Sequence, residues 1–145
     1  MESELIQALV QIVSFFNRTD RDQAFIKNAG VDLEATSFQL FVTIGRMQPS
    51  NVSDLANILG KSHSSTSRQI DKLEKKGLVI TKNDETDARI RSIRLSESGE
   101  KLKQVLDATR IDNINNALSD WSTKDKKSLL SNLNHLADTL SKLDN

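Results

Sequence analysis

The stretch from Val52 to Gly99 constrains this chain more than any other, and it parses into four pieces. Residues 53–59 have the length and apolar content of a short helix, with Ser53 as its cap and Asp54 in its first turn. Gly60-Lys61-Ser62 makes a tight connection. A longer helix is expected over residues 63–76, because Thr66, Ile70 and Leu73 share a face at i, i+4 and i+7. Ser62 is placed to cap it by accepting an N–H from the first turn. Gly77 stands where a left-handed residue is needed after the last turn, and Lys75 and Lys76 suit the negative helix end. Two short strands follow, 78–82 and 90–95, around a loop of mixed charge. Val79-Ile80-Thr81 is a β-branched run, and Ile93 and Leu95 alternate with Ser92 and Arg94, as in strands half-buried on one face.

Helix, turn, helix and β-ribbon in that order outline a winged helix-turn-helix, a module that lays its second helix in the major groove of DNA. The face of that helix opposite the packing residues carries Lys61, Ser64, Ser65, Arg68, Lys72 and Lys75. The residues placed to reach base edges are Ser62, His63, Ser64, Ser65, Ser67, Arg68 and Gln69. Arg68 is the strongest of them, since its fork suits O6 and N7 of guanine. The serines are short and permit close approach to base or phosphate. Gln69 suits adenine, but it lies near the packed face, and a solvent-facing filler is an equal reading. Lys61, Lys72 and Lys75 are expected on backbone phosphates, where they position without specifying sequence.

The distribution of charge matters more than its total. Formal net charge is zero, which argues against a nonspecific nucleic-acid coat protein. Between Gly60 and Arg94, however, nine Lys/Arg stand against five Asp/Glu, so the flanks are net negative. A DNA-binding lobe on an acidic scaffold has this asymmetry. Ordinary solvated helix faces would explain Lys72, Lys75 and Lys76 alone, but less well their coincidence with Arg89, Arg91 and Arg94.

The run Ile70-Asp71-Lys72-Leu73-Glu74-Lys75-Lys76-Gly77-Leu78-Val79 fits the pattern LxxLExKGLV. Asp87-Ala88-Arg89 and then Leu95-Ser96-Glu97-Ser98-Gly99 follow at a set distance. Asp54-Leu55-Ala56 precedes them, and 33–41 is a looser match. In order and spacing, over about the middle half of the chain, this set resembles the MarR family of transcriptional regulators. The resemblance implies that Arg89 is a wing-tip arginine entering the minor groove, where a narrow A·T-rich groove concentrates negative potential. Arg91 is expected beside it as a second minor-groove residue. Asp87 is expected to hold the loop or an arginine in place. Asp84 and Glu85 depart from the pattern, and their carboxylates would repel phosphates.

Both ends of the chain carry apolar stripes. In the helix expected over 2–16, Leu5, Leu9, Ile12, Val13 and Phe16 share a face. That helix is expected to run on through 17–22 to Phe25 and Ile26 and to end by Gly30. Another is expected over 34–47, with Phe38, Phe41, Val42 and Gly45 near one side, before Pro49 breaks the chain. After the wing, Ser96 is expected to cap a helix over 97–118, and Thr123 to cap the last one. There Leu129, Leu133, Leu136 and Leu140 recur at spacings of three and four. Such stripes, away from the basic middle, invite self-association. The resemblance implies the same, a homodimer in which the terminal helices of two subunits interlock. The alternative is packing within one subunit. The expected organisation is a dimerisation helix at 1–32, a DNA-binding lobe at 33–96 and dimerisation helices at 97–145. The fold class is mainly α with a small antiparallel β-hairpin wing.

Other classes fare badly. The two histidines, His63 and His135, belong to no HExxH or nucleophile–base pattern, and there is no P-loop or GxGxxG. The reading is therefore not an enzyme, with no cofactor and no metal. The zinc sites of some members of the resembling family are not carried over to a chain with two His and no Cys. The absence of cysteine excludes disulfides and thiol redox sensing. The acidic start lacks a signal peptide's basic region and no apolar run approaches membrane length, so a cytoplasmic, soluble protein is expected. Winged-helix RNA binding would call for stacking aromatics that the wing and second helix lack.

The function expected is a homodimeric, sequence-specific transcriptional regulator, a repressor on a palindromic duplex operator. The alternative is a winged-helix protein-interaction module that no longer binds DNA. The resemblance also implies a small aromatic or phenolic effector in a crevice between the dimer helices and the DNA-binding lobe. Phe15, Phe16, Phe38, Phe41 and Trp121 are core candidates before they are pocket candidates.

Overall fold

The computed structural model describes residues 1–16, 27, 30 and 32–144. Among them are six α-helices and one hairpin. They are α1 (Glu2–Phe16), α2 (Ala35–Met47), α3 (Val52–Leu59), α4 (His63–Lys75), β1 (Val79–Asn83), β2 (Arg91–Leu95), α5 (Glu97–Ala117) and α6 (Thr123–Ser141). A 3-10 turn, Lys142–Asp144, closes the chain. The mainly helical class with an antiparallel wing is therefore what forms. The expected run of the first helix through 17–22 to Phe25 and Ile26 lies outside the described residues. The chain falls into two units, Met1–Leu106 and Asp107–Asn145.

The first unit is built around the junction of α2, α3, α4 and the hairpin. Phe41, Leu40 and Ile44 from α2, Leu55 from α3, and Ile70 and Leu73 from α4 are fully buried. Val79 and Ile93 from the two strands close the cluster. These are the positions that helical and strand periodicity select. Truncating one of the large aliphatic side chains to alanine removes about 2–5 kcal/mol in such a setting. Thr66 is buried with them, and its hydroxyl donates to the Ser62 carbonyl one turn back (2.9 Å).

The strands pair with Val79 opposite Leu95, Thr81 opposite Ile93 and Asn83 opposite Arg91. Ser50 adds an isolated bridge to Ile93 on the other side of β2. Gln48 ties this sheet to α5: its Oε1 accepts from Leu95 N–H (2.9 Å) and its Nε2 donates to Glu100 (2.7 Å).

Helix ends follow capping chemistry, at two places one or two residues from where it was expected. Ser62 caps α4 as anticipated, accepting Ser65 N–H at 3.1 Å. Ser96 accepts Gly99 N–H at 3.0 Å at the head of α5. Asn51, not Ser53, caps α3 through Asp54 N–H (2.9 Å). Ser122, not Thr123, caps α6 through Asp125 N–H (3.0 Å). Ser53 and Thr123 already lie inside their helices, whereas Asn51 and Ser122 have the extended backbone a cap requires.

Two glycines are dictated by geometry. Gly77 adopts φ 74 after α4, and its N–H donates to Glu74 O (2.9 Å). Gly99 packs so close to the preceding connection that an added Cβ would stand 2.1 Å from the Leu78 carbonyl oxygen. That same oxygen accepts Ser96 N–H (3.0 Å), while Ser96 Oγ donates to the Gly77 carbonyl. The Ser-x-x-Gly sequence therefore joins the end of α4 to the start of α5.

The terminal elements are differently made. α1 buries none of its residues, and Leu5, Ile6, Val10, Val13 and Phe16 are each more than half exposed. In the second unit Ile111, Ile114, Trp121, Leu130, Leu133 and Leu140 are exposed, and α6 likewise buries none. Leu9, Leu129 and Leu136 are half-buried. Among the described residues no helix is long and apolar enough to cross a membrane.

Candidate nucleic-acid interface

The outer surface of α4 is made by the residues that core packing leaves out. With Thr66, Ile70 and Leu73 turned inward, Lys61, Ser62, His63, Ser64, Arg68, Lys72 and Lys75 are exposed. Ser64 Oγ lies 3.5 Å from Ser62 Oγ. No described residue pairs with the Arg68 guanidinium. The helix has no acid in its first turn, so its positive end is unopposed there. The surface presents compact ammonium groups, one planar fork, the hydroxyls of Ser62 and Ser64 and the His63 imidazole.

Three of the expected base-reading positions turn elsewhere. Ser65 is half-buried. Gln69 faces α2, where its Oε1 accepts from Ser37 Oγ (2.7 Å). Ser67 faces the wing, where its Oγ accepts from Arg91 Nη1 (3.1 Å). Arg91 is therefore not free at the wing surface, as the expectation of a minor-groove contact required. Its Nη2 lies 3.0 Å from Asp71 Oδ1 and 3.5 Å from Glu74 Oε2, and its side chain is only 26% exposed. Sequence reasoning passed over Ser67, Asp71 and Glu74 as a group, though their spacing of four and three puts them on one helical stripe.

The wing tip is organised by its own carboxylates. Asp87 Oδ1 accepts from both the backbone N–H and Nε of Arg89, each at 3.0 Å. Asp87 Oδ2 takes Arg89 Nη2 at 3.0 Å. The arginine is nevertheless 90% exposed. Asp84, which sequence alone leaves as a liability, accepts the N–H (2.8 Å) and hydroxyl (2.7 Å) of Thr86 and shapes the turn. Glu85 pairs with Lys82 (3.7 Å). Backbone bonds from Asp84 N–H to Ile90 O (2.8 Å) and from Ile90 N–H to Asp87 O (3.0 Å) close the loop.

These bonds set the acid response of the wing. The Arg89 guanidinium, and then its backbone N–H, hold the Asp87 carboxyl below the ordinary carboxylate range. The Thr86 hydroxyl, followed by its N–H, does the same for Asp84. Asp87 in turn raises Arg89. A carboxyl lowered in the folded state contributes order above its ordinary value of 3.8, and that contribution is lost as pH falls through the lowered value. The Arg89 Nε–H resonance should therefore hold its position from about pH 8 to about pH 5 and move only in stronger acid. Movement near neutrality would mean that the Asp87–Arg89 pair is not the loop's organiser.

Two cavities border α4. One of about 80 Å³ is floored by Leu40 and Leu59 and rimmed by Lys61 and Gln69. The other, about 250 Å³, lies among Glu34, Ser37, Lys72, Lys75 and Lys76. Both fall below the roughly 300–1,000 Å³ of ordinary small-molecule sites. Among the described residues no group of three or more His, Cys, Asp or Glu could hold a metal ion.

The surroundings of this site are matched in known proteins. A MarR family model matches residues 31–90. The chain is 28% identical over 124 residues to the uncharacterized HTH-type transcriptional regulator YxaD of Bacillus subtilis (strain 168), covering 86% of this chain and 85% of that protein. A MarR family protein from Bacillus stearothermophilus shares the fold at a TM-score of 0.78 and 20% identity, over 97% of this chain and 96% of that one. Streptococcus pneumoniae FabT, solved in complex with DNA, shares it at a TM-score of 0.70 and 16% identity, over 99% of both chains.

Proposed function

We propose that this chain, which a MarR family model matches over residues 31–90, is a winged-helix, DNA-binding transcriptional regulator of that family and acts as a homodimeric, sequence-specific repressor on a palindromic operator. Residues 33–96 form the DNA-binding lobe, with 1–32 and 97–145 serving dimerisation. The role is that of a regulator and not of an enzyme. The observation that carries the reading is the outer face of α4, exposed and rich in unshared donors, beside a wing tip that presents Arg89 at 90% exposure. That the related fold of FabT is found on DNA supports a duplex as the target.

The roles divide by chemistry. Arg68 reads guanine through two parallel hydrogen bonds, and Ser62, His63 and Ser64 make close contacts around it. Lys61, Lys72 and Lys75 neutralise phosphates. Arg89 enters the minor groove, with Asp87 aiming it. Dimerisation through Leu5, Leu9, Val13 and Phe16 of α1 and Leu129, Leu133, Leu136 and Leu140 of α6 is supported by the apolar surface that both helices leave uncovered. Release by a small aromatic or phenolic ligand rests on the family resemblance alone; the two cavities at α4, about 80 and 250 Å³, lie below the range of ordinary small-molecule sites.

The test is a titration of the protein against a random-sequence duplex at two salt concentrations. Binding should weaken steeply with salt, by a logarithmic slope of about −0.9 for each phosphate neutralised. Absence of any salt-dependent binding would favour a winged-helix module that binds protein instead.

A further inference from the structure

We infer that Arg91 is a positioning residue that locks the wing to α4, so that the spacing between major-groove and minor-groove contacts becomes part of operator specificity. This rests on the DNA-binding reading above. Arg91 opens β2, opposite Asn83 at the outer end of the hairpin. The inner part of the hairpin is fixed by packing, through the buried Val79, Ile93 and Leu95. The outer part has no such anchor, since Lys82 and Asn83 are exposed. A two-stranded ribbon held only at its base is free to swing.

A polar stripe on α4 takes the place of packing there. Ser67, Asp71 and Glu74 follow one another along the helix surface, and the Arg91 fork meets all three. Glu74 also accepts from Thr81 Oγ1 (3.1 Å) through its other oxygen. One carboxylate thus holds β2 by Arg91 and β1 by Thr81. Only a planar, multi-donor cation can satisfy these acceptors together, and a lysine there would reach one or two of them. Arg89, two residues earlier, is bonded within its own loop and left exposed, so the two arginines divide the work. Arg68 sits on the helix and Arg89 on the wing tip. Their separation on the duplex is fixed only if the wing is fixed to the helix.

Two measurements decide the matter, one without DNA. The sequence has no cysteine, so Asn57→Cys and Ala88→Cys admit spin labels at two chosen exposed sites. With labelled chains diluted into unlabelled protein, the parent should give one narrow distance distribution. Arg91→Ala should broaden it, the Asp71→Asn/Glu74→Gln pair should broaden it equally, and Arg91→Lys should fall between. A distribution that stays narrow in both variants overturns the strap, and thermal denaturation confirms that each variant is folded.

The second measurement uses operators with one base pair added or removed between the major-groove half-site and its A·T-rich flank. The parent should discriminate by about tenfold, the scale of one poor contact, and Arg91→Ala by about twofold or less. The ratio is insensitive to the charge removed, which alters every operator alike. If Arg91→Ala keeps the spacing preference but lowers the salt slope by about one contact, Arg91 touches phosphate and the proposal fails. If the parent binds no duplex, the DNA-binding reading and the spacing role fall together, while the label distances still decide the strap.

Discussion

Replacing Leu133 and Leu140 together by glutamate is expected to turn the proposed dimer into a folded monomer. Both side chains are already exposed in the single chain, at 43% and 49%, so the change removes little from the chain's own packing. Glutamate is also a good helix former, and α6 should persist. In a two-fold interface, however, the pair would bring four carboxylates into an apolar contact. Leaving an ionised carboxylate buried without a partner costs several kcal/mol. The dimer dissociation constant should therefore rise by about a thousandfold or more, since each 1.4 kcal/mol is a factor of about ten. Sedimentation velocity across a concentration series reads the result directly. Affinity for a two-half-site operator should collapse with it, while binding to a single half-site changes little. A variant that remains a dimer would place the interface elsewhere.

The second large effect is at Arg68. It is the planar fork on the outer face of α4 that no described residue engages. Two parallel bonds to one guanine are worth about 1–3 kcal/mol of discrimination. Arg68→Lys keeps the charge but loses the fork. It should retain most of the salt-dependent affinity and flatten the preference at one symmetric base pair in each half-site. Arg68→Ala should do the same, with a slightly lower salt slope if the side chain also touches phosphate. Operators mutated one base pair at a time, titrated at two salt concentrations, separate these effects. If Arg68→Lys weakens every operator by the same factor, Arg68 is a phosphate clamp. Base readout would then pass to Ser62, His63 and Ser64 or to DNA shape.

The lobe was legible because its signals are local and redundant. Thr66, Ile70 and Leu73 mark a buried face, Gly77 marks its end, and the alternation around Ile93 marks a strand; each is a periodicity or a dihedral requirement that a single segment carries. Cap positions were read less exactly. Asn51 and Ser53, like Ser122 and Thr123, are all capping residue types, and the choice between them falls to the backbone before the helix. The partners of Arg91 were illegible for a different reason. On the sequence it is one more cation beside Arg89, but its partners lie 20 and 17 residues upstream on another element. Asp84 likewise looks repulsive until Thr86 is seen to satisfy it. The signal that was available was the spacing of Ser67, Asp71 and Glu74, an acidic stripe on an otherwise basic helix.

In the proposed dimer a symmetric pair of α4 helices reads a symmetric duplex. The most direct measurement is selection of tight binders from a pool of random-sequence duplexes at moderate salt, followed by sequencing. The proposed dimer should select an inverted repeat whose half-site centres lie about one helical turn apart, near 10 bp, flanked by A·T-rich steps. Recovery of no enriched sequence, or of a single asymmetric half-site from a protein that sediments as a monomer, would contradict it.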